Sequence, residues 1–298
     1  MRTEANMRNN GRVLVYGGTG QQGRPIVERL QADGFSVRVM SRQDKLDGVA
    51  NGVETVAGSL DDVESLIRAT TGIRYIVLLL PLAFDIEAAA DWTRNVVKAA
   101  ERAGVERIVF DTSAPVPDTR TGVAAIDVKI VAEDIIRAAS IPWTILRPTI
   151  YLGNLTAPWS APGIVGNRVI AYPVDSGLGV SWVSWEDVAV AVSRALSDPA
   201  FAGQALNIGG DRALTGPELA AAFGNVLGGA FAYAPMPLEG FEAGLNQALG
   251  EPVGTEIARL YGWLGGEGRS HLARKTNDNA KLGLKPITVE SWIAAQTW

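Results

Sequence analysis

The stretch Val13-Leu14-Val15-Tyr16-Gly17-Gly18-Thr19-Gly20-Gln21-Gln22-Gly23 decides the fold. Its first four residues are typical of a short buried strand, and they run directly into a turn rich in glycine. The amphipathic segment at about 21–32 predicts a helix after the turn. A strand, a glycine-rich turn and a helix in this order open a dinucleotide-binding βαβ unit, in which glycines let the backbone approach a pyrophosphate closely. The N–H groups at the start of the helix face that anion.

The glycines fit two related spacings. Gly18-x-Gly20-x-x-Gly23 is the spacing of dehydrogenases, and Gly17-x-x-Gly20-x-x-Gly23 is that of extended and atypical short-chain dehydrogenases. An ordinary glycine turn is the alternative, which the position between a good strand and a good helix disfavours. The loop residues expected to hold the nucleotide are Gly17, Thr19, Gly20, Gln21, Gln22 and Gly23.

The end of the second predicted strand indicates NADPH rather than NADH. The apolar alternation at about 36–40 ends in Ser41-Arg42, with no acid at the strand end to bind a ribose 2′-hydroxyl. Arg42 can hold a 2′-phosphate with paired hydrogen bonds, and Ser41 is a second donor. A solvated Arg42 in a loop is the alternative. We expect NADP(H) as the cofactor.

The composition is that of an ordinary globular protein and excludes several classes of function. Of the 298 residues 47% are hydrophobic and 20% charged, and the net charge of −5 argues against a surface that binds nucleic acid. The chain has no cysteine and one histidine, His271, so disulfides, thiolate chemistry, a Ser-His hydrolase and a multi-His metal site are not expected. The longest apolar run, at 76–84, contains Pro81 and is too short to span a membrane. No signal peptide is visible, and we expect a cytoplasmic protein without a membrane partner.

Strand and helix patterns alternate through the first half of the chain. This rhythm predicts an α/β fold, a doubly wound parallel sheet of the Rossmann type with a smaller C-terminal substrate lobe. Predicted strands lie at about 12–16, 37–40, 54–56, 75–80, 107–110, 143–146, 169–171 and 205–208. Predicted helices lie at about 21–32, 61–69, 85–103, 123–139, 186–196 and 216–226, followed by a mostly helical tail. Capping-box spacing marks three helix starts, at Ser59 with Asp62, Ser184 with Asp187 and Thr215 with Glu218.

The composition changes after about Pro148, where glycine and proline become frequent. We therefore predict a nucleotide-binding domain at 11–150 and a substrate lobe at 151–298, with some elements of the lobe returning to the sheet. The polar segment 1–10 has no periodicity and is expected to be a disordered leader.

Taken together, these residues resemble the NmrA-like family of atypical short-chain dehydrogenases/reductases, over about residues 12–293. No single motif is specific, but their order and spacing are. The landmarks after the glycine loop and Arg42 are the segments 58–62, 95–100 and 103–109, Thr112-Ser113, Lys129 with Glu133, the segment 141–148, Asn154 and the segment 187–189.

The resemblance implies NADPH-dependent reduction of quinones, phenylpropanoids or dye-like aromatics, or NADP(H) sensing without turnover. A typical short-chain dehydrogenase has Tyr-x-x-x-Lys, whereas Ala125 stands four residues before Lys129. The usual proton donor is therefore missing, which fits the atypical reductases and leaves sensing open. An isomerase or epimerase is disfavoured, because such enzymes usually keep the tyrosine.

Candidate site residues follow from the resemblance and from positions at or after the carboxyl ends of the predicted strands. Lys129 is expected near the nicotinamide ribose or the substrate oxygen, the alternative being a surface ion pair with Glu133. Thr112 and Ser113 are candidate hydrogen-bond donors to substrate or nicotinamide, the alternative being turn hydroxyls bonded to local backbone. Further residues expected to bind cofactor are Ser59, Leu60, Leu80, Pro81, Pro148, Thr149 and Ile150. Residues expected to bind substrate are Tyr151, Asn154 and Trp159.

We expect an NADPH-dependent oxidoreductase that transfers hydride to a small aromatic or conjugated acceptor, such as a quinone, enone, imine or carbonyl. The alternative is a regulatory protein that binds NADP(H) without turnover. The expected partner is a small-molecule substrate, with no metal and no nucleic acid, and the protein is expected to be a monomer or a homodimer.

Overall fold

A computed structural model describes residues 10–42, 50–273 and 277–298. The predicted leader lies outside these residues except for Asn10. The chain forms two compact units, each built from three segments. Unit 1 comprises the described residues of Met1–Thr112, Val131–Leu146 and Val188–Leu206. Unit 2 comprises those of Ser113–Ile130, Arg147–Asp187 and Asn207–Trp298. The predicted boundary near residue 150 stays a prediction.

The elements are numbered in chain order. The strands are β1 (Arg12–Tyr16), β2 (Ser36–Ser41), β3 (Glu54–Ala57), β4 (Tyr75–Leu79), β5 (Arg107–Asp111), β6 (Trp143–Pro148), β7 (Val169–Tyr172), β8 (Gln204–Ile208) and β9 (Ala232–Pro235). The helices are α1 (Gly23–Ala32), α2 (Val63–Thr70), α3 (Ile86–Ala103), α4 (Ala124–Ala138), α5 (Ala161–Asn167), α6 (Trp185–Ser197), α7 (Gly216–Leu227), α8 (Leu238–Leu249), α9 (Val253–Gly265), α10 (Ser270–Ala273) and α11 (Val289–Ala295). Short 3-10 helices lie at Leu152–Thr156 and Pro199–Phe201.

Among the described residues, seven strands form the main sheet in the order β3-β2-β1-β4-β5-β6-β8. The pairs from β3 to β6 are parallel. The chain leaves β1 in one direction and β4 in the other, so the order reverses between these two strands. Nucleotides bind at such a switch point, beyond the carboxyl ends of the strands. The predicted doubly wound α/β fold is confirmed.

The central strands are buried on both faces, as a parallel sheet covered by helices requires. Leu14, Ile76, Ile108 and Ile145 are fully or almost fully buried and belong to one core cluster of unit 1. The alternate residues of the same strands, such as Val77, are equally buried. Short runs of β-branched and aliphatic residues therefore predicted these strands, because each residue packs on one face or the other.

Unit 2 is mainly helical around a small parallel pair, β7 and β9. Its core includes Tyr172, Trp182, Phe223 and Trp292, all buried. Thr215 and Glu218 form the predicted capping box at the start of α7, where the Glu218 carboxylate accepts hydrogen bonds from the Thr215 N–H and hydroxyl. In the part of the chain that the structure describes, no helix is both long and apolar enough to cross a membrane.

The start of α2 and the strand β9 are among the departures from the sequence predictions. The capping box expected at Ser59 is wrong: the N-cap of α2 is Asp62, one turn later, whose carboxylate accepts the N–H groups of Glu64 and Ser65. Strand β9 was not predicted, since Ala232–Pro235 is only partly buried and has no apolar alternation. It forms because β7 supplies a partner.

Candidate functional site

The glycine loop of unit 1 is held by its own backbone. The Gly20 N–H donates to the Gly17 oxygen at 3.1 Å, and the Arg24 N–H donates to the Gly20 oxygen at 3.0 Å. A Cβ at Gly23 would lie 2.2 Å from the Gly17 oxygen, and one at Gly18 would lie 2.8 Å from a Val39 methyl group. Gly17 has φ +74, which side chains rarely adopt. Local packing therefore requires glycine at these three positions.

Gly20 differs from the other glycines of the loop. It is exposed, and a Cβ there would make only an ordinary contact of 3.5 Å with the Gly17 oxygen. The α1 helix that follows has no side-chain cap on its N-terminus and no acid in its first turn. A loop with space in front of Gly20 and a helix start without a carboxylate suit an approaching anion, so the residues present fit a pyrophosphate.

The other predicted nucleotide residues of unit 1 follow the carboxyl ends of β2, β3 and β4. Arg42 is exposed directly after β2. Ser59 and Leu60 are half-buried after β3, where Ser59 donates its N–H to the Ser65 hydroxyl oxygen and its own hydroxyl to Asp61. Leu80 is half-buried and Pro81 exposed after β4. The structure thus brings these residues to one edge of the sheet with the glycine loop.

Thr112 lies just beyond β5 and is fully buried. Its hydroxyl donates to the Leu146 carbonyl oxygen at 3.2 Å, and its N–H donates to the same oxygen at 3.0 Å. The Thr112 hydroxyl is thus bonded to the backbone of β6, the strand next to β5, and not to local backbone as the alternative supposed, and its role at the site stays a prediction. Ser113, the first residue of unit 2, has φ 58, a left-handed conformation that is uncommon for residues other than glycine.

Unit 2 contains a cavity of about 230 Å³ whose lining is mostly apolar. Comparable apolar cavities of roughly 150 Å³ hold benzene, so this one has room for a somewhat larger ring system. Six residues predicted from the sequence line it, namely Ser113, Thr149, Ile150, Tyr151, Asn154 and Trp159. The remaining lining residues are Ala114, Pro115, Phe241, Leu245, Ile257, Leu260, Tyr261 and Leu264.

One wall of the cavity was missed by the sequence analysis. Phe241 and Leu245 lie on α8, and Ile257, Tyr261 and Leu264 lie on α9. Their spacing along each helix is that of an ordinary amphipathic helix, which a core-forming helix shares. The sequence feature that could have indicated this wall is the short turn between Leu249 and Val253, which brings two amphipathic helices side by side.

A polar cluster of three side chains lies at the cavity. The Asn154 amide donates to the Tyr172 hydroxyl at 3.3 Å and to the Tyr261 hydroxyl at 3.4 Å, and the two hydroxyls are hydrogen-bonded to each other. Burial raises the pKa of Tyr261 to about 12 and that of Tyr172 well above its usual value. Both phenols are therefore protonated near neutral pH.

Lys129, a residue of unit 2, is half-buried on α4, with the buried Ala125 one turn earlier. The position occupied by tyrosine in typical short-chain dehydrogenases thus carries no group that can donate a proton.

Thr149 is fully buried, and its hydroxyl donates to the Ser181 carbonyl oxygen. Pro148 is buried as the last residue of β6. No cluster of three or more potential metal ligands occurs in residues 10–42, 50–273 and 277–298.

A doubly wound sheet with a glycine loop at its switch point defines an α/β protein of the dinucleotide-binding class. The model of the NmrA-like family matches residues 9–293. The chain therefore belongs to the NmrA-like family, as its sequence landmarks predicted.

Relatives of known name agree with this assignment. The NAD(P)H azoreductase of Xenophilus azovorans is 28% identical over 255 residues, which are 84% of this chain and 86% of that protein. The (4-alkanoyl-5-oxo-2,5-dihydrofuran-3-yl)methyl phosphate reductase of Streptomyces griseus is 30% identical over 246 residues, 81% of this chain and 83% of that protein. The crystal structure of a Citrobacter sp. triphenylmethane reductase complexed with NADP(H) superposes with a TM-score of 0.78 at 24% identity. It covers 95% of this chain and 99% of its own, and this likeness shows the fold.

Proposed function

We propose that this protein is an NADPH-dependent reductase of small conjugated or aromatic acceptors. The observation that carries the acceptor class is the cavity of unit 2, in which aliphatic and aromatic side chains surround the few polar groups. Binding sites for small molecules have this composition, with polar groups that fix orientation. A flat neutral ring system matches the lining better than a charged or sugar-like substrate. The names of the two relatives, both reductases, support reduction as the reaction.

The cofactor is assigned to the glycine loop of unit 1. In this proposal the backbone from Gly17 to Gly23 and the start of α1 hold the pyrophosphate, and Arg42 holds the 2′-phosphate. The exposed Arg42 guanidinium follows β2, the strand next to β1 in the sheet. Bound NADPH would supply the hydride. The chain's own residues would bind and orient the nucleotide, and the apolar lining of the cavity would pack against the acceptor.

The test is the oxidation of NADPH and of NADH by the purified protein with quinones, enones, aldehydes, imines and triarylmethane dyes. We expect turnover that prefers NADPH. The Arg42→Ala variant should weaken NADPH binding by roughly tenfold to a hundredfold, the range that corresponds to loss of a charge-assisted hydrogen bond, and should change NADH binding little.

Arg94→Ala is the matched control, because Arg94 is an exposed arginine of unit 1 paired with Asp91 on α3. It should leave both affinities unchanged. Equal weakening of NADPH and NADH by Arg42→Ala would contradict the role of Arg42. Tight NADPH binding without turnover on any acceptor of the panel would contradict the reductase and favour a sensing protein.

A further inference from the structure

The polar cluster of Asn154, Tyr172 and Tyr261 determines where one proton points. Tyr172 is 1% exposed, whereas Tyr261 is 7% exposed and lines the cavity with Asn154. The Tyr261 ring is held in edge-to-face contacts by Tyr172 on one side and Phe241 on the other, with ring centroids 5.5 Å and 5.0 Å apart. Its hydroxyl is therefore fixed in position.

The hydrogen bonds of the cluster allow two arrangements. Asn154 donates to both hydroxyl oxygens, so neither tyrosine uses its own proton on Asn154. The bond between the hydroxyls uses one of the two protons. If Tyr261 donated to Tyr172, the Tyr172 proton would be buried without an acceptor among the described residues, which is unfavourable.

The other arrangement has no such cost. If Tyr172 donates to Tyr261, then Tyr172 is satisfied, and the Tyr261 oxygen accepts from both Tyr172 and Asn154. The Tyr261 proton then has no acceptor within the described chain, and its side chain faces a cavity that can hold one. Because Tyr261 lines the cavity, the count of donors and acceptors leaves its O–H available to a ligand there.

We propose that Tyr261 donates this hydrogen bond to a carbonyl oxygen of the ligand and thereby selects ring ketones and quinones over hydrocarbons of the same shape. The inference rests on the proposed function, since it names the acceptor class of the same cavity. Tyr261 is a specificity-determining residue in this assignment, and Tyr172 and Asn154 position it.

Two further observations agree with this role. Burial raises the pKa of Tyr261 to about 12, so the hydroxyl keeps its proton near neutral pH. The wall beside Tyr261 is apolar, with Phe241 and Leu245 buried on α8. A ligand with a ring and one correctly placed carbonyl oxygen would satisfy both the wall and the donor.

The test compares binding of 1,4-naphthoquinone and naphthalene to the full chain without NADPH, by titration calorimetry. Tyr261→Phe removes one oxygen atom and keeps the ring contacts. We expect it to weaken naphthoquinone binding by roughly tenfold, which is the upper end for one neutral hydrogen bond, and to leave naphthalene binding unchanged. Tyr233→Phe is the matched control, since the Tyr233 hydroxyl of unit 2 donates to the Val174 carbonyl oxygen instead. It should leave both affinities unchanged.

A second variant tests the direction of the hydrogen bond. Tyr172→Phe removes the donor to Tyr261 and should weaken naphthoquinone binding by a smaller factor than Tyr261→Phe. In the reverse arrangement it would release the Tyr261 proton and tighten binding, and that result would overturn the proposal. Equal loss of both ligands in Tyr261→Phe would also overturn it.

These measurements are independent of turnover. If the protein reduces quinones with NADPH but Tyr261→Phe binds them as well as the wild type does, the proposed function stands and this inference fails. If Tyr261→Phe weakens naphthoquinone binding as expected but the protein never oxidises NADPH, this inference stands and the proposed function fails.

Discussion

At the residue scale, the proposed chemistry depends on individual side chains. The sequence shows which residues these are, but it does not show what surrounds each of them in the fold. The sequence indicates Asn154 and Trp159 because they follow the last predicted Rossmann strand, and both line the cavity. It does not indicate Tyr261, which stands 107 residues from Asn154 in the chain and on a helix of ordinary pattern. A hydrogen bond between residues that far apart leaves no local signal in a single sequence.

Lys129 is the residue that the family resemblance predicts to lie near the nicotinamide ribose or the substrate oxygen. It is half-buried on α4, and Glu133, one turn later, accepts a hydrogen bond from Arg137 at 3.2 Å. We predict that Lys129→Ala lowers kcat with the best acceptor at least roughly tenfold, which corresponds to about 1.4 kcal/mol of lost transition-state stabilisation, because an ammonium group there stabilises developing negative charge.

The measurement is kcat and KM by NADPH oxidation, with NADPH affinity measured separately by titration. NADPH should still bind. Lys98→Ala, which removes an exposed lysine from α3, serves as the control and should leave kcat unchanged. If Lys129→Ala turns over as fast as the wild-type protein, the lysine has no part in the reaction.

At the element scale, most strands and helices of unit 1 were predictable, because the patterns that mark them are local. Strand β1 was predicted with the bounds that the structure shows, and α3 begins at an Asp85 cap and ends at Gly104 in a left-handed conformation. The less predictable elements depend on partners. Helix α5 contains Pro162, Gly163 and Gly166, which disfavour a helix, and β9 needs β7. Tertiary contacts stabilise such elements against their local preference.

The loop between β1 and α1 allows a prediction that separates packing from binding. Gly23→Ala would place a Cβ 2.2 Å from the Gly17 oxygen and 2.6 Å from the Gly18 Cα, so the backbone must shift. We expect a loss of about 1–3 kcal/mol in the free energy of unfolding. Gly20→Ala meets no atom closer than 3.5 Å and should leave the unfolding temperature unchanged.

Gly23→Ala should lower the free energy of unfolding, whereas Gly20→Ala should leave stability unchanged and affect NADPH binding instead. Gly20→Ala should weaken NADPH binding by roughly tenfold or more, equivalent to about 1.4 kcal/mol, because its methyl group stands where the pyrophosphate approaches. Unfolding temperature and NADPH titration on both variants provide the check. Unimpaired NADPH binding by a stable Gly20→Ala protein would show that the ligand does not approach Gly20.

At the scale of the whole molecule, units 1 and 2 are each assembled from three chain segments. Each unit is therefore stabilised by contacts between segments that are distant in the sequence. In unit 2 the Asp278 carboxylate accepts the Asn207 N–H at 2.8 Å, across 71 positions. Glycine and proline become more frequent near Pro148, but this change in composition does not predict which later segments contact earlier ones.

Asp187 makes a second contact between distant segments of unit 2. Its buried carboxylate accepts the Ile287 N–H at 3.2 and 3.3 Å, and so ties the start of α6 to a segment 100 residues later within unit 2. Burial raises the pKa of Asp187, although hydrogen bonds from Ser184 and Ile287 oppose the shift. The folded state therefore binds a proton more readily at this carboxyl than the unfolded state does.

The sign of the pH dependence follows from this raised pKa. Below the unfolded pKa of about 3.9 both states are protonated and Asp187 causes no loss of stability. As the pH rises through the folded pKa, the buried carboxylate becomes charged and its contribution to the free energy of unfolding falls, then stays constant. Asp187→Asn removes this charge. We predict that the stability of the variant relative to the wild-type protein increases as the pH rises from about 4 and then levels off.

Urea unfolding followed by tryptophan fluorescence, at intervals from about pH 4 to about pH 8, measures this difference. The amide cannot reproduce both oxygen acceptors, so the variant has a constant deficit that is independent of pH, and the slope is the informative quantity. Asp134→Asn, which replaces an exposed carboxylate on α4, is the control for loss of one charge. A relative stability of Asp187→Asn that is flat with pH would show that the hydrogen bonds from Ser184 and Ile287 offset the effect of burial on the carboxylate, and one that decreases with pH would show that they outweigh it.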